Sequence, residues 1–294
     1  MTDRVSVAAH AKFNPFLRVL SRDTSGYHGI ETAFALLELA DRITVERRPS
    51  GITIEVNGPD LGPDADNLAV RAADALLNSI GRPFGVHLHL EKHVPAQAGL
   101  GGGSSDAAAT LHAVNQLAGT PVPRHELLQL AARLGADVPF FASGAPFAVA
   151  WHHGTRLFRL PAPSAAPVLL AVPPTGVPTA DAYAWIDAHP APTRGAVVLD
   201  LDALTAWGPI GRLGGNDFEP VVFGRHPSHR QLFERLAETG PLLVRLSGSG
   251  SAFVAVYRSE PERDGAATVI GTSTATLIPT ETRAHAAPAP RSED

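Results

Sequence analysis

The sequence contains no cysteine, so neither disulfides nor thiolate-bound metals contribute to its structure or chemistry. Nor does it contain a stretch approaching the roughly 20 uninterrupted apolar residues that a membrane-spanning helix needs. The opening residues, MTDRVSVAAHAKFNP, lack the apolar segment of a signal peptide. A cytoplasmic location away from membranes is the expectation that follows. Basic residues are outnumbered, 24 against 29 acidic ones for a formal net charge of −5, and they form no run. The electrostatic footprint of a nucleic-acid binder is therefore missing. Aromatic residues supply only 6% of the chain while apolar residues supply 44%, so the core must come mainly from Ala, Leu and Val.

What is present is well patterned, and 294 residues suit about two domains. Ile43, Val45, Ile52, Ile54 and Val56 alternate with polar residues around Pro49-Ser50-Gly51, which predicts a hairpin over Arg42 to Val56. Asp66-Asn67 can cap a helix that places Ala69, Ala72, Ala73, Leu76 and Ile80 on one face. Val86, Leu88 and Leu90 alternate as a half-buried strand ending near Lys92. A helix with Ala107, Leu111, Val114 and Leu117 inward stops at Gly119. A second, from Pro123 to Leu134, buries Leu127, Leu130, Ala131 and Leu134 before Gly135. Val168 to Val172 reads as a buried strand, Ser228 to Thr239 as a helix, and Leu242, Val244 and Leu246 as a strand. Pro and Ala accumulate near residues 155–165, where a domain boundary is expected. The final segment, TRAHAAPAPRSED, buries little apolar surface and is expected to be a disordered tail.

The most informative stretch is PAQAGLGGGSSDAAATL, Pro95 to Leu111, fed by a strand and followed by a helix. Gly99, Gly101, Gly102 and Gly103 allow backbone conformations and close approaches that a Cβ would block. Ser104, Ser105 and Asp106 then fall where the start of a helix exposes unpaired N–H groups, a ready site for phosphate oxygens. Other phosphate motifs fail. The loop holds no Lys for a P-loop, and Ser104 stands at the third-glycine position of a dinucleotide fingerprint. HRD and DFG elements are absent, and Gly248 and Gly250 flank Ser249 too closely for a nucleophile elbow.

The GLGGGSSDAA stretch resembles the second motif of the GHMP small-molecule kinases. AKFNPFL, Ala11 to Leu17, resembles their N-terminal motif, and RLSGSGSAFV, Arg245 to Val254, their glycine-rich third motif. The segments SGYHGIETAF, DNLAVRAA, LGADVPFF, GVPTADAY and NDFEP (beginning at residues 25, 66, 134, 176 and 216) resemble the branch whose acceptor carries a cytidine diphosphate group. The resemblance implies a two-domain α+β fold. Residues 1–158 would form a domain like domain 2 of ribosomal protein S5, residues 159–281 a ferredoxin-like α/β domain, and residues 282–294 the tail. It implies ATP as phosphoryl donor with Mg2+, a small-molecule acceptor and a monomer or homodimer.

The same resemblance assigns roles. Lys12 and Asp137 would meet at the acceptor hydroxyl, Asp137 as general base and Lys12 offsetting charge on the transferring phosphoryl group. Pro95, Ala96, Gln97, Ala98, Gly99, Leu100, Gly101, Gly102, Gly103, Ser104 and Ser105 would hold nucleotide, bordered by Asn67 and Lys92. Asn14 would orient substrate, Tyr27 and Tyr183 would sandwich the cytosine, and His28 would contact its polar edge. Gly248, Ser249 and Gly250 would form a turn against the phosphate loop. Ser105 is a candidate Mg2+ ligand, the metal set being otherwise open. Plain alternatives remain for several positions: Asp137 and Asn67 as helix caps, Lys12 and Lys92 as solvated charges, His152-His153 as a hairpin turn. Pro15 cannot donate a backbone hydrogen bond, so its strand must start late, bulge or lie at an edge. Gln97 puts an amide where small residues are expected. Two rivals stand beside this reading: a kinase for another small alcohol, homoserine- or mevalonate-like, and a non-catalytic ATP-binding regulatory protein.

Overall fold

A computed structural model describes residues 3–24, 26–188, 200–287 and 289–292. Of the stretches singled out above, Ser25 and tail positions 288, 293 and 294 lie outside the described residues. The first of two sheets is organised around one long strand. Its opening strands are β1 (Arg4–Phe13), β2 (Leu17–Arg22), β3 (His28–Arg48) and β4 (Ile52–Asn57). Helix α1 (Leu68–Ser79) follows, then β5 (Gly85–Glu91), α2 (Gly102–Leu117), α3 (Arg124–Leu134), α4 (Val138–Ala142), β6 (Phe147–Trp151) and β7 (Arg156–Leu160). The later half of β3 lies between β1 and β5, and its earlier half between β2 and β6. Ile43 faces Val7 and Leu90 in register, and Val45 faces Val5 and Leu88. One face of three strands is therefore continuously apolar, and α1 and α2 cover it with Ala69, Ala72, Ala73, Leu76, Ala107, Leu111 and Val114. Fully burying each larger aliphatic side chain contributes about 1.5–3 kcal/mol.

The alternation around Pro49-Ser50-Gly51 is real, but the hairpin is not. Strand β5 lies between β3 and β4, antiparallel to the first and parallel to the second. Alternation identifies which residues share a face and is silent on which strand is the neighbour. The turn passes over Gly85 so closely that a Cβ there would stand 2.2 Å from the Ser50 carbonyl carbon. Val86 N–H donates to the Gly51 carbonyl at 2.9 Å and seals the crossing.

The second sheet is wholly antiparallel. Its chain order is β8 (Pro167–Val172), α5 (Thr179–Ala188), α6 (Trp207–Leu213), α7 (Phe218–Arg225), α8 (Pro227–Glu238), β9 (Leu243–Leu246), β10 (Phe253–Val256), α9 (Glu260–Ile270) and β11 (Thr276–Glu281). Its spatial order is β11-β8-β10-β9. Leu169, Ala171, Phe253 and Ala255 face a core shared with α8 and α9, where Leu232, Leu236 and Ile270 are buried. Val168, Leu170 and Val254 face the opposite way, into a third core with Phe13, Phe16, Phe147 and Trp207. That core joins the two sheets, as the mixed α+β pattern of the sequence leads one to expect.

In the segment expected to be a disordered tail, the described residues 282–287 and 289–292 are instead drawn back along the first sheet. Thr282 is buried and exchanges two 2.9 Å hydrogen bonds with Ala166, and Arg283 N–H donates to the Leu36 carbonyl. Strand β12 (Arg291–Ser292) pairs antiparallel with Val5 and Ser6 of β1. The free edge of β1 offers backbone partners, and those order a segment that has few side chains to bury.

Candidate active site

Where the sheets meet, the glycine loop and the Gly248 turn interlock. Lys12 N–H donates to the Leu100 carbonyl, Ala252 N–H to the Ala98 carbonyl, and Ser247 Oγ to the Gly99 carbonyl at 2.9 Å. Gly99 has φ +77°, and a Cβ there would stand 2.0 Å from Ser247 O, so only glycine lets the loops close. Helix α2 starts inside the glycine run, with Gly101 at its N-cap and no side chain capping it. The N–H groups of Gly102, Gly103 and Ser104 are left for an anionic guest at the positive end of a 16-residue helix.

Lys12 ends beside this loop, at the buried end of β1. Its ammonium donates to Asn14 Oδ1 at 2.8 Å, lies 3.4 Å from Asp137 Oδ2 and sits 5.5 Å from the centre of the Phe34 ring. Asn14 is equally committed: Oδ1 also accepts from Gly248 N–H, and Nδ2 donates to Thr32 Oγ1. Asp137 occupies the N-cap position of α4 yet makes no capping hydrogen bond, so its carboxylate is turned to Lys12. Pro15 falls in the gap between β1 and β2, where no ladder bond is needed, and its carbonyl accepts from Arg245 Nε at 3.1 Å.

A cavity of about 620 Å³ opens from this pair and is lined by Lys12, Asn14, Tyr27, His28, Asp137 and Tyr183, among others. The His28 and Tyr183 rings stack at 5.4 Å and 20°. Nδ1–H of His28 donates to the Leu20 carbonyl, and its Nε2 meets Asp187 Oδ1 at 2.9 Å, while Arg22 also pairs with Asp187. Burial, helped by the charge of Asp137, pushes the Tyr183 phenol up to about 12, so it stays a neutral donor. Tyr27 is 70% exposed and leans on His153 rather than on Tyr183.

A second cavity of about 340 Å³ lies across the phosphate loop, between Asn67, Leu68, Lys92 and residues 95–104. Asn67 also caps α1, its Oδ1 accepting from Ala69 N–H at 2.9 Å. Lys92 is buried in an ion pair with Asp41 and another, at 2.9 Å, with Asp106. Burial pulls the Lys92 ammonium down, but the two carboxylates outweigh it and hold it above its ordinary range. Burial, opposed by Lys92 and reinforced by Asp41, pushes Asp106 up to about 7. Among the described residues its Oδ1 is buried without a hydrogen-bond partner, while Asp106 lines this second cavity.

Every residue given a catalytic, nucleotide, substrate or glycine-turn role from the sequence falls at one of these two cavities or in the turn between them, with one exception. Ser105 points to the other side of α2, into a cavity with Val7, His10 and His112. Residues one apart on a helix diverge by about 100°, and Ser104 takes the facing position. Asp41 and Asp187 escaped the sequence reading, and Asp106 was placed at the helix start without a role of its own. Asp106 lies within the quoted motif, whereas Asp41 and Asp187 carry no local signal. Asn216 opens the NDFEP segment that the sequence reading associated with the cytidine diphosphate branch. Its buried Nδ2 donates to the Leu246 and Gly248 carbonyls and braces the glycine turn.

Comparison with known proteins gives the family and the fold. Residues 67–145 match the model of the GHMP kinases N terminal domain, and residues 201–274 that of GHMP kinases C terminal. The chain is 37% identical over 263 residues to the 4-diphosphocytidyl-2-C-methyl-D-erythritol kinase of Brevibacillus brevis, covering 87% of this chain and 89% of that one. Against the enzyme of that name from Bordetella bronchiseptica it is 41% identical over 256 residues, 87% and 83% of the two chains. A crystal structure of 4-(cytidine 5'-diphospho)-2C-methyl-D-erythritol kinase superposes with a TM-score of 0.80 at 35% identity, over 94% of this chain and 98% of that one. Homoserine kinase from Cytophaga hutchinsonii, at 18% identity and a TM-score of 0.73, shares the fold. Three motifs, two matching domain models and these relatives place the chain in the GHMP kinase family, among its 4-diphosphocytidyl-2-C-methyl-D-erythritol kinases.

Proposed function

We propose that this chain transfers the γ-phosphoryl group of ATP to the 2-hydroxyl of 4-diphosphocytidyl-2-C-methyl-D-erythritol, a step of non-mevalonate isoprenoid synthesis. The observation that carries the reading is the Lys12–Asp137 pair, 3.4 Å apart at the junction of an anion-binding loop and a cavity lined by Tyr27, His28 and Tyr183. Asp137 accepts the hydroxyl proton as the oxygen attacks the γ-phosphorus, and the bond to the β-phosphate oxygen breaks to release ADP. Lys12, anchored by Asn14, meets the charge on the oxygens in transfer. The N–H groups opening α2 hold the phosphate chain, and Asn67 and Lys92 flank the nucleoside of ATP.

Mg2+ would supply charge neutralisation to the phosphate chain of ATP. Asp106 fits as its protein ligand because Oδ1 is unpartnered beside the nucleotide-side cavity, whereas Ser105 is turned away. At the other end, stacking on Tyr27 and Tyr183 and an edge contact from His28 would select cytidine. In this reading residues 1–158 carry the chemistry and residues 159–281 close over the nucleoside.

A coupled ADP-release assay tests the proposal. Purified chain and Mg-ATP are given 4-diphosphocytidyl-2-C-methyl-D-erythritol, homoserine, mevalonate or no acceptor. Turnover confined to the cytidyl substrate is expected. Turnover on another alcohol would sink the cytidine site and keep the kinase, and ATP binding without turnover on any acceptor would indicate a regulatory protein.

A further inference from the structure

The outer face of the first sheet, away from α1 and α2, carries a cluster that the phosphoryl-transfer reading leaves unused. His87 and His89 alternate with Val86, Leu88 and Leu90 on β5, so both imidazoles leave the sheet on the solvent side. Strand β4 lies beside them in parallel register, with Thr53 opposite His87 and Glu55 opposite His89. On the other flank, β3 places Glu46 opposite His87. One ring nitrogen of each histidine and one carboxylate oxygen of Glu55 lie within 4.8 Å of one another.

From these contacts we infer that His87, His89 and Glu55 form a binding site for a late first-row divalent metal ion, zinc foremost. Nδ1 of His89 stands 3.3 Å from Oε2 of Glu55. Two ligands on one tetrahedral zinc have about that separation when each bond is about 2.0–2.2 Å long. The opposite nitrogen, Nε2 of His89, faces Oε1 of Glu46 at 3.6 Å. Glu46 is itself held by Arg4 and Arg48. A carboxylate behind a histidine in this way fixes the tautomer and leaves the other nitrogen free for metal. Thr53 Oγ1, 2.7 Å from Nδ1 of His87, pins the second ring, and the two imidazole centroids are 4.3 Å apart, edge to face. Only rotamer adjustments of the exposed Glu55 and the partly exposed His87 and His89 separate this arrangement from a three-ligand site with a position left for water.

Imidazole nitrogen selects zinc, cobalt, nickel or copper over magnesium, so the site does not compete for the ion that accompanies ATP. Its effect falls on the edge of the sheet. Among the described residues strand β4 pairs with β5 alone, and the metal would clip the two strands together. Glu55 is close to where β4 runs into the wall of the nucleotide-side cavity, since Asn57 accepts from Lys92 N–H.

The test uses the full chain, stripped with EDTA and exchanged into metal-free buffer. Zinc chloride is titrated by calorimetry, and cobalt(II) by its visible spectrum. One equivalent per chain with micromolar affinity is expected, together with a tetrahedral cobalt band and a raised melting temperature. His87→Ala/His89→Ala should abolish all three, and Glu46→Gln should weaken binding about tenfold. Glu55→Gln, at a side chain 71% exposed, cannot disturb the core and guards against a misfolded histidine variant. It should also weaken binding at least tenfold. The kinase activity of these variants with Mg-ATP should equal that of the parent. Binding that survives the double histidine variant and Glu55→Gln, or that requires His152 and His153 beside Asp23 instead, would overturn the site. So would the lack of saturable binding below about millimolar zinc, or equal affinity for magnesium.

Discussion

The two ends of the large cavity are built on opposite terms. At the reacting end, Lys12 and Asn14 are buried, each polar atom is tied to a neighbour, and the Gly99 and Gly248 loops lock against each other. At the end proposed for the nucleoside, Tyr27 is mostly exposed, and His28 is held by a backbone carbonyl and by Asp187, whose own partner Arg22 is solvent-facing. Preorganisation belongs where charge moves, because donors that need not reorient stabilise a transition state most. Recognition of a large acceptor tolerates side chains that adjust on binding. Substitutions at the first end should therefore act on kcat, and those at the second on KM.

The largest effect tests the first half of that contrast. Asp137→Asn keeps the shape and removes the proton acceptor, so kcat should fall by about 10²–10⁴-fold with little change in KM for either substrate. Steady-state kinetics in both substrates checks this, and a pure KM effect would move Asp137 to the recognition end. Gly99→Ala comes next. Its Cβ would collide with Ser247 O at 2.0 Å in a loop already at φ +77°, so the two loops must separate. ATP should bind at least about tenfold more weakly, and stability should drop by about 1–3 kcal/mol. Isothermal titration with a non-hydrolysable ATP analogue and a urea melt separate the two effects.

A smaller effect probes the recognition end. Tyr183→Ala removes a ring that stacks on His28 and meets Phe218 edge-on at 4.9 Å. Loss of an aromatic face is worth about 1 kcal/mol, or roughly fivefold in KM for the cytidyl substrate. Tyr183→Phe should restore it with kcat unmoved. If Phe fails to rescue, the phenol rather than the ring is the recognition element, and the contrast between the ends must be redrawn.

How far the sequence reached follows the same division. The phosphate loop was legible from local backbone chemistry, whereas Lys12, Asn14 and the glycine turn were singled out only through the resemblance of three compact motifs to the GHMP kinases. Helices α1 to α3 were legible because apolar periodicity and the Asn67 cap are local signals. Strand neighbours were not: Ile52, Ile54 and Val56 announce a face, and nothing nearby reveals that β5 inserts beside them. The described part of the tail was misread because Arg291 and Ser292 pair through backbone bonds with β1, which composition does not display. Asp41 and Lys92 are 51 residues apart, and Asp187 is 159 residues from His28, so no spacing rule could pair them. Ser105 and Asp106 were within the motif, yet which of them faces the cavity depends on where α2 starts, and glycine runs obscure that point.

Asp106 gives the finest test of whether the nucleotide side belongs with the preorganised end. Its carboxyl is raised from 3.8 to about 7 by burial, with Lys92 pulling against the shift. An acid raised on folding contributes stability that is fully present below its unfolded value and is lost as pH climbs through its folded one. The window is therefore roughly pH 4 to 7, over which the unfolded chain releases a proton that the folded chain retains. Asp106→Asn carries no such proton, so the difference in melting temperature between variant and parent should turn in the variant's favour from pH 5 to pH 8. Activity should move the other way, because the amide offers Mg2+ a poorer oxygen, and the Mg2+ concentration needed for half-maximal rate should rise. Were the melting difference flat with pH, the Lys92 ion pair would be holding Asp106 charged throughout. The unpartnered Oδ1 would then be a standing anion facing the nucleotide, whose affinity for Mg2+ should not weaken between pH 8 and pH 6.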